Sequence, residues 1–186
     1  MFLNLAYLHL PRHEIVRTGD HILAIYPDQE SKIDEAFEFL KARIQNREAI
    51  MLVTDSISRE ETLERMNEEW DVDANGLEKT GDIIVKGTRE WYVYESSIDC
   101  RLAIAKWNSL VSFSLIKGKN GLRVFGDLST LFKYGLSKEV VDYESCFGPR
   151  FEMPITAVCA YLATDMQALE PESVDKLEEH HRGLWA

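Results

Sequence analysis

Gly19-Asp20-His21-Ile22-Leu23-Ala24-Ile25-Tyr26-Pro27-Asp28-Gln29-Glu30-Ser31-Lys32 is the stretch that decides the fold. The run His21 to Tyr26 is almost continuously apolar and is bracketed by Gly19-Asp20 and Pro27-Asp28. That pattern predicts a strand buried on both faces, as in a parallel sheet. The turn after it contains no glycine, and it carries Asp28 and Glu30. A phosphate-binding loop needs glycines so that bare amides can face the anion, with a lysine at its end. Acids without glycine argue against a Walker-type nucleotide site. There is no GxGxxG either, so no dinucleotide site is indicated.

Further along the chain, short apolar runs alternate with helical patterns. Ser31-Lys32-Ile33-Asp34 reads as a capping-box-like start, followed by Ile33, Phe37, Leu40 and Ile44 on one helical face. Ile50 to Thr54 predicts a second buried strand, and Ser58 with Glu61 caps a helix carrying Leu63, Met66 and Trp70. Asn75-Gly76 and Gly81-Asp82 read as turns before a strand at Ile83-Ile84-Val85. A long helix is predicted from Ser97 to about Lys117, apolar on more than one side and therefore central or buried at a subunit contact. Leu122 to Phe125 is the next strand, Ser137 opens a helix, and Pro154 precedes a strand from Ile155 to Tyr161. A last helix starts near Pro171 and ends at Gly183. Strands separated by helices predict a doubly wound, three-layer α/β/α fold with a mostly parallel sheet. Ligands in such folds sit beyond the carboxyl ends of the strands.

The chain has 186 residues, 45% hydrophobic and 28% charged, with a net charge of −11. These values fit one globular domain and exclude disorder as the main state. The negative field argues against nucleic acid and against anionic membrane surfaces. No apolar run approaches the roughly 20 residues that span a bilayer. The opening MFLNLAYLHLPRH lacks a basic leading segment and a cleavage site, so it is not taken as a signal peptide. Residues 1–18 are expected to form an arm, and residues 19–186 the domain. Three cysteines without a CxxC suggest neither a disulfide framework nor a zinc site, and a reducing cytoplasm is the expected location.

The chemistry-bearing residues divide between structural and ligand roles. Asp127 and Asp55 end strands, where an acid caps the next turn; Asp127 would hold magnesium only beside a phosphate loop. Cys159 lies in a buried strand and reads as a small hydrophobe, and Cys100 and Cys146 as inert helix residues. His180-His181 close the last helix, where imidazole complements the helix dipole. A ligand role would require His21 or His180 to converge with Cys159 or an acid. No HxH or HExxH spacing occurs, so no metal ligand set is assigned, and no catalytic residue. Tyr26 and Tyr161 fall at carboxyl edges where they would line a pocket. Arg123 begins a buried strand and needs an acid; Glu144 is the candidate for a structural pair.

Taken in order, Gly19 to Tyr26, Thr54-Asp55, Gly81-Asp82-Ile83, Gly121 to Ser129, Tyr143-Glu144, Pro154 to Tyr161 and the histidine ending the last helix resemble the MEDS domain family. That family is the sensory domain named for methanogens, methylotrophs and the dichloromethane-responsive regulator. The resemblance covers residues 19–182. It implies a RecA/KaiC-like core with a degenerate phosphate loop and a role in sensing small hydrocarbon derivatives. It offers His21, Tyr26, Asp127, Cys159, Tyr161 and His180 as ligand-binding positions. It names no cofactor. No output domain follows Ala186, so a stand-alone module relaying to a separate signalling protein is expected, with self-association into a homo-oligomer. The alternatives are a metal- or cysteine-dependent enzyme using Asp127 with Cys159 or His21, and a nucleotide-binding, ATPase-like scaffold.

Overall fold

The computed structural model describes residues 16–44 and 47–185. Six strands form a single sheet in the order β3-β2-β4-β5-β1-β6. They are β1 (His21–Tyr26), β2 (Ala49–Val53), β3 (Ile83–Lys86), β4 (Leu122–Asp127), β5 (Ile155–Leu162) and β6 (Gly183–Trp185). Every neighbouring pair is parallel. Parallel neighbours need crossovers, and helices supply them: α1 (Gln29–Ile44), α2 (Arg59–Trp70), α3 (Ala74–Thr80), α4 (Thr88–Tyr92), α5 (Cys100–Ile116), α6 (Ser129–Lys133), α7 (Ser137–Glu144), α8 (Ala163–Gln167) and α9 (Pro171–Glu179).

Alternation along the strands creates two cores, because successive side chains leave a strand on opposite faces. Ile22, Ala24, Ile50, Leu52, Phe125 and Val158 pack beneath α1, α2 and α3. Leu23, Met51, Val124, Cys159 and Tyr161 pack against helices α4 to α9. The result is the expected three-layer α/β/α arrangement.

The structure revises several local expectations. Helix α1 begins at Gln29, ahead of the predicted cap, because the Asp28 carboxylate accepts the Ser31 amide at 2.8 Å. Asn75-Gly76 lies inside α3 rather than in a turn; Asp73 caps that helix by accepting from Gly76 N. The long helix starts at Cys100, after an isolated bridge between Tyr94 and Ser97. The last helix ends before Gly183, which opens β6 instead. Cys100 and Cys146, read as inert, form a disulfide. Among the described residues no helix is long and apolar enough to cross a membrane. The expected arm, residues 1–18, falls mostly outside the described residues.

Two clamps position the strands that matter below. Arg182 N donates to His21 O at 2.7 Å, and the Arg182 guanidinium pairs with the buried Asp20 carboxylate, tying the chain after α9 to β1. Gly121 is wedged where β2, β4 and β5 begin: its carbonyl accepts from Ala49 N at 3.0 Å, and Pro154 O accepts from Leu122 N at 2.9 Å. A Cβ at Gly121 would run into the Pro154 carbonyl oxygen. Backbone cannot rotate away as a side chain can, so Gly121→Ala is expected to lower stability by about 1–3 kcal/mol. Urea unfolding measures this; an unchanged midpoint would show that the strand starts tolerate the methyl.

Candidate functional site

Two buried polar centres lie on opposite sides of the sheet. The first is at the carboxyl end of β4. Only Pro27 and Asp28 separate β1 from α1, which leaves no length for a loop to wrap an anion. From the first turn of α1, Lys32 reaches inward, and its Nζ lies 2.6 Å from Asp127 Oδ1 and 2.9 Å from Ser129 Oγ. Asp127 Oδ2 accepts from Ser56 Oγ at 2.6 Å, Thr54 Oγ1 at 2.9 Å and Gln29 Nε2 at 3.5 Å. Asp127 Oδ1 also takes the Ser129 amide at 3.2 Å. Lys32 and Asp127 are both fully buried. Burial pulls the Lys32 ammonium below its ordinary range, and the adjacent Asp127 charge works against that fall.

Protein donors therefore surround the carboxylate that would hold magnesium in a nucleotide-binding core. The sequence reading had Asp127 cap the next turn, which it does, but missed Lys32 as its partner. A signal was present: Lys32 stands four residues before Ala36 on the buried face of α1, where a charge needs a counter-charge. Asp55 caps across a longer distance than expected, accepting from Thr88 N at 3.0 Å and Arg89 N at 3.2 Å at the start of α4. Beside it, a cavity of about 390 Å³ opens at the carboxyl edge, lined by Thr54, Ser56, Ser58, Arg59 and Glu90 among others.

The second centre lies on the other face, beneath α7 and α9. The β1–β5 register sets Leu23 beside Cys159 and Ile25 beside Tyr161, so His21, Cys159 and Tyr161 share one face. Glu144, the last residue of α7, enters from above. Tyr161 Oη donates to Glu144 Oε1 at 2.9 Å. Glu144 Oε2 lies 3.1 Å from His21 Nε2, 3.5 Å from His181 Nε2 and 3.5 Å from Cys159 Sγ. His21 Nε2 is also 3.3 Å from Cys159 Sγ. Burial alone would raise the Glu144 carboxyl, but His181 and His21 outweigh it and hold that carboxyl well below the usual carboxylate range. Burial, and then the Glu144 charge, push the Cys159 thiol and the Tyr161 phenol well up.

The geometry bears on catalysis. In a nucleophile–base–acid relay, the acid holds one imidazole nitrogen and the nucleophile meets the other. Here Cys159 and Glu144 both face His21 Nε2, while His21 Nδ1 meets His180 O at 3.0 Å and Gly148 O at 3.2 Å. That arrangement is not a relay.

Of the proposed ligand positions, the structure brings His21, Cys159 and Tyr161 together. It sends Asp127 to the other centre and Tyr26 into the α1 core, its ring 6.2 Å from Phe125. His180 turns its side chain toward Phe147 O, at 2.8 Å from Nδ1, and contributes only its backbone carbonyl. His181, not His180, enters the cluster. The expected Arg123–Glu144 pair does not form: Arg123 points to the α1 side, donating to Glu48 at 3.1 Å and lying 4.4 Å over the Phe39 ring. Strand alternation forbids the pair, because Arg123 and Phe125 share the face opposite α7.

Breaking a buried ion pair from one side costs more than removing both charges. Lys32→Met is therefore expected to destabilise by about 3–5 kcal/mol. Adding Asp127→Asn should restore part of the loss, giving a favourable coupling in a double-mutant cycle. Denaturant titration of the four proteins reads the coupling, and additivity would disprove the paired network.

Comparison with known proteins places these centres in context. Among solved structures, the chain is similar to the flagellar accessory protein FlaH from Methanocaldococcus jannaschii, with a TM-score of 0.56 at 13% identity over 91% of this chain and 71% of that one. A weaker likeness, with a TM-score of 0.45 at 9% identity, is to the ATP synthase subunit NeqB from Nanoarcheaum equitans, over 91% of this chain and 45% of that one. No match was found among curated proteins. The core thus has the RecA-like parallel α/β fold that it shares with FlaH, and the turn after β1 consists of Pro27 and Asp28, without glycine. The MEDS family, the methanogen/methylotroph, DcmR sensory domain, matches residues 20–182, and the chain belongs to that family.

Proposed function

We propose that this chain is a sensory or regulatory module that binds a small hydrocarbon derivative and relays its presence to a signalling protein. The observation that carries this reading is the closed Lys32–Asp127 network. It occupies the end of β4 with protein donors, which supports recognition over nucleotide turnover at that edge. Family membership supports the same direction.

Volume supports one place for the ligand over another. The His21–Glu144–Cys159–His181 cluster has its polar atoms within 4.8 Å of one another, too tight for an organic molecule. An open groove of about 530 Å³ runs between α4 and α5, lined by Trp91, Leu102, Ala105, Lys106, Leu110 and Phe113. Apolar walls with one ammonium suit a short oxygenated or halogenated hydrocarbon. Next to the groove, the outer side of α5 exposes Phe113, Leu115 and Ile116, a surface suited to a partner chain or a second copy.

Thermal shift tests the reading. A panel of one-carbon and short-chain alcohols, amines and halides should contain a compound that raises the melting temperature with concentration. Ala105→Trp, which fills the groove, should abolish that rise. Equilibrium dialysis should detect no magnesium-dependent ATP binding. ATP capture would favour the nucleotide-binding alternative, and a panel without any response would defeat the sensory reading.

A further inference from the structure

We propose that His21, Glu144, Cys159 and His181 form a binding site for a single divalent transition-metal ion of the zinc class. The four ligand atoms come from β1, α7, β5 and the chain just after α9, and all lie within 4.8 Å of one another. Four ligands at zinc distances, about 2.0 Å for nitrogen or oxygen and about 2.3 Å for one sulfur, stand roughly 3.3–3.5 Å apart in a tetrahedron. Four of the six separations are 3.1 Å (His21 Nε2 to Glu144 Oε2), 3.3 Å (His21 Nε2 to Cys159 Sγ), 3.5 Å (Cys159 Sγ to Glu144 Oε2) and 3.5 Å (His181 Nε2 to Glu144 Oε2); the other two, from His181 Nε2 to His21 Nε2 and to Cys159 Sγ, are within 4.8 Å.

The hydrogen bonds around the cluster favour a cation. His21 Nδ1 faces two backbone carbonyls, and His181 Nδ1 lies 2.5 Å from Leu177 O. A carbonyl only accepts, so each Nδ1 carries the proton, and in a neutral imidazole Nε2 is then a bare lone pair. Imidazolium rings donate from Nε2 to Glu144; neutral rings instead turn two lone pairs toward a carboxylate oxygen, which is also an acceptor, and a cation then takes the place of those protons. His181 Nε2 is buried and has no hydrogen-bond partner among the described residues. Tyr161 takes the other Glu144 oxygen and leaves Oε2 for the ion. The site is closed, with four protein ligands and side chains that are almost wholly buried, which is the pattern of a structural ion rather than a catalytic one.

Charge and protons balance. On binding, Cys159 loses its thiol proton to solvent and forms the metal–sulfur bond as thiolate. The ion's two positive charges are then cancelled by one thiolate and one carboxylate, so the buried centre is neutral. Mixed nitrogen, sulfur and oxygen ligands suit zinc, cobalt(II) or iron(II), and not magnesium or calcium. The ion would fasten α7 and the segment after α9 to the central strands. This inference stands apart from the groove and its ligand.

Cobalt(II) titration of the chelator-treated, reduced full chain under anaerobic conditions tests it. The expected result is one equivalent bound, with thiolate-to-cobalt charge-transfer absorption and the intense visible bands of a four-coordinate site. Zinc should displace the cobalt. Cys159→Ser should remove the charge-transfer absorption, and His181→Gln should weaken binding at least tenfold. A Cys100→Ser/Cys146→Ser protein should keep the spectrum. Absence of the spectrum from the unmodified protein, its survival in Cys159→Ser, or its loss with Cys100 and Cys146 would overturn the proposal. If Cys159→Ser does not fold, undiminished affinity in His181→Gln overturns it equally.

Discussion

An ammonium group and a carboxylate removed entirely from water must satisfy each other, because the cost of desolvating either one alone is several kcal/mol. Lys32 and Asp127 meet that constraint across the end of the sheet. Their pairing holds α1 over β4, and the hydroxyls of Thr54 and Ser56 extend it to the end of β2 and the loop beyond. The short turn Pro27-Asp28 follows from the same geometry. Helix α1 must begin almost at once for a side chain in its first turn to reach Asp127.

The parallel sheet then separates two kinds of chemistry by parity alone. On β1, Ile22 and Ala24 face α1, while His21 and Leu23 face the other layer. On β4, Arg123 and Phe125 lie on the α1 side. The Lys32–Asp127 network closes one end of the sheet, and the His21–Glu144–Cys159–His181 cluster lies beneath α7 and α9. The usual rule sends attention to the carboxyl ends of strands. Among the described residues, a group of side chains able to hold a metal ion converges at the start of β1, because α7 and the chain after α9 deliver Glu144 and His181 there.

The strands β1, β2, β4 and β5 were legible because both of their faces are buried, so their sequences read as apolar runs with sharp boundaries. The capping box of Ser58 and Glu61 was legible because it is purely local. Helices α3, α4, α6 and α8 were missed because each has only one or two turns, too few for a period to show. Strand β6 was missed because its pairing with β1 comes from tertiary contact and not from an apolar run. Asn75-Gly76 looked like a turn, but Asp73 caps the backbone there into a helix.

Residue pairing shows the same division. His21, Cys159 and Tyr161 stood out because polar or reactive groups on buried strands require partners. Glu144 was singled out and given the wrong partner, since the side of the sheet that α7 covers cannot be read from α7 itself. The choice of His181 over His180 turns on how the last helix ends against Phe147 and His21. By itself, then, the sequence determined the parallel α/β class, the absence of a phosphate loop and the residues in need of partners. Those properties depend on local period, composition and burial. Only the tertiary structure decided which partner each residue found, because pairing across a sheet depends on strand order and on the layer each helix covers.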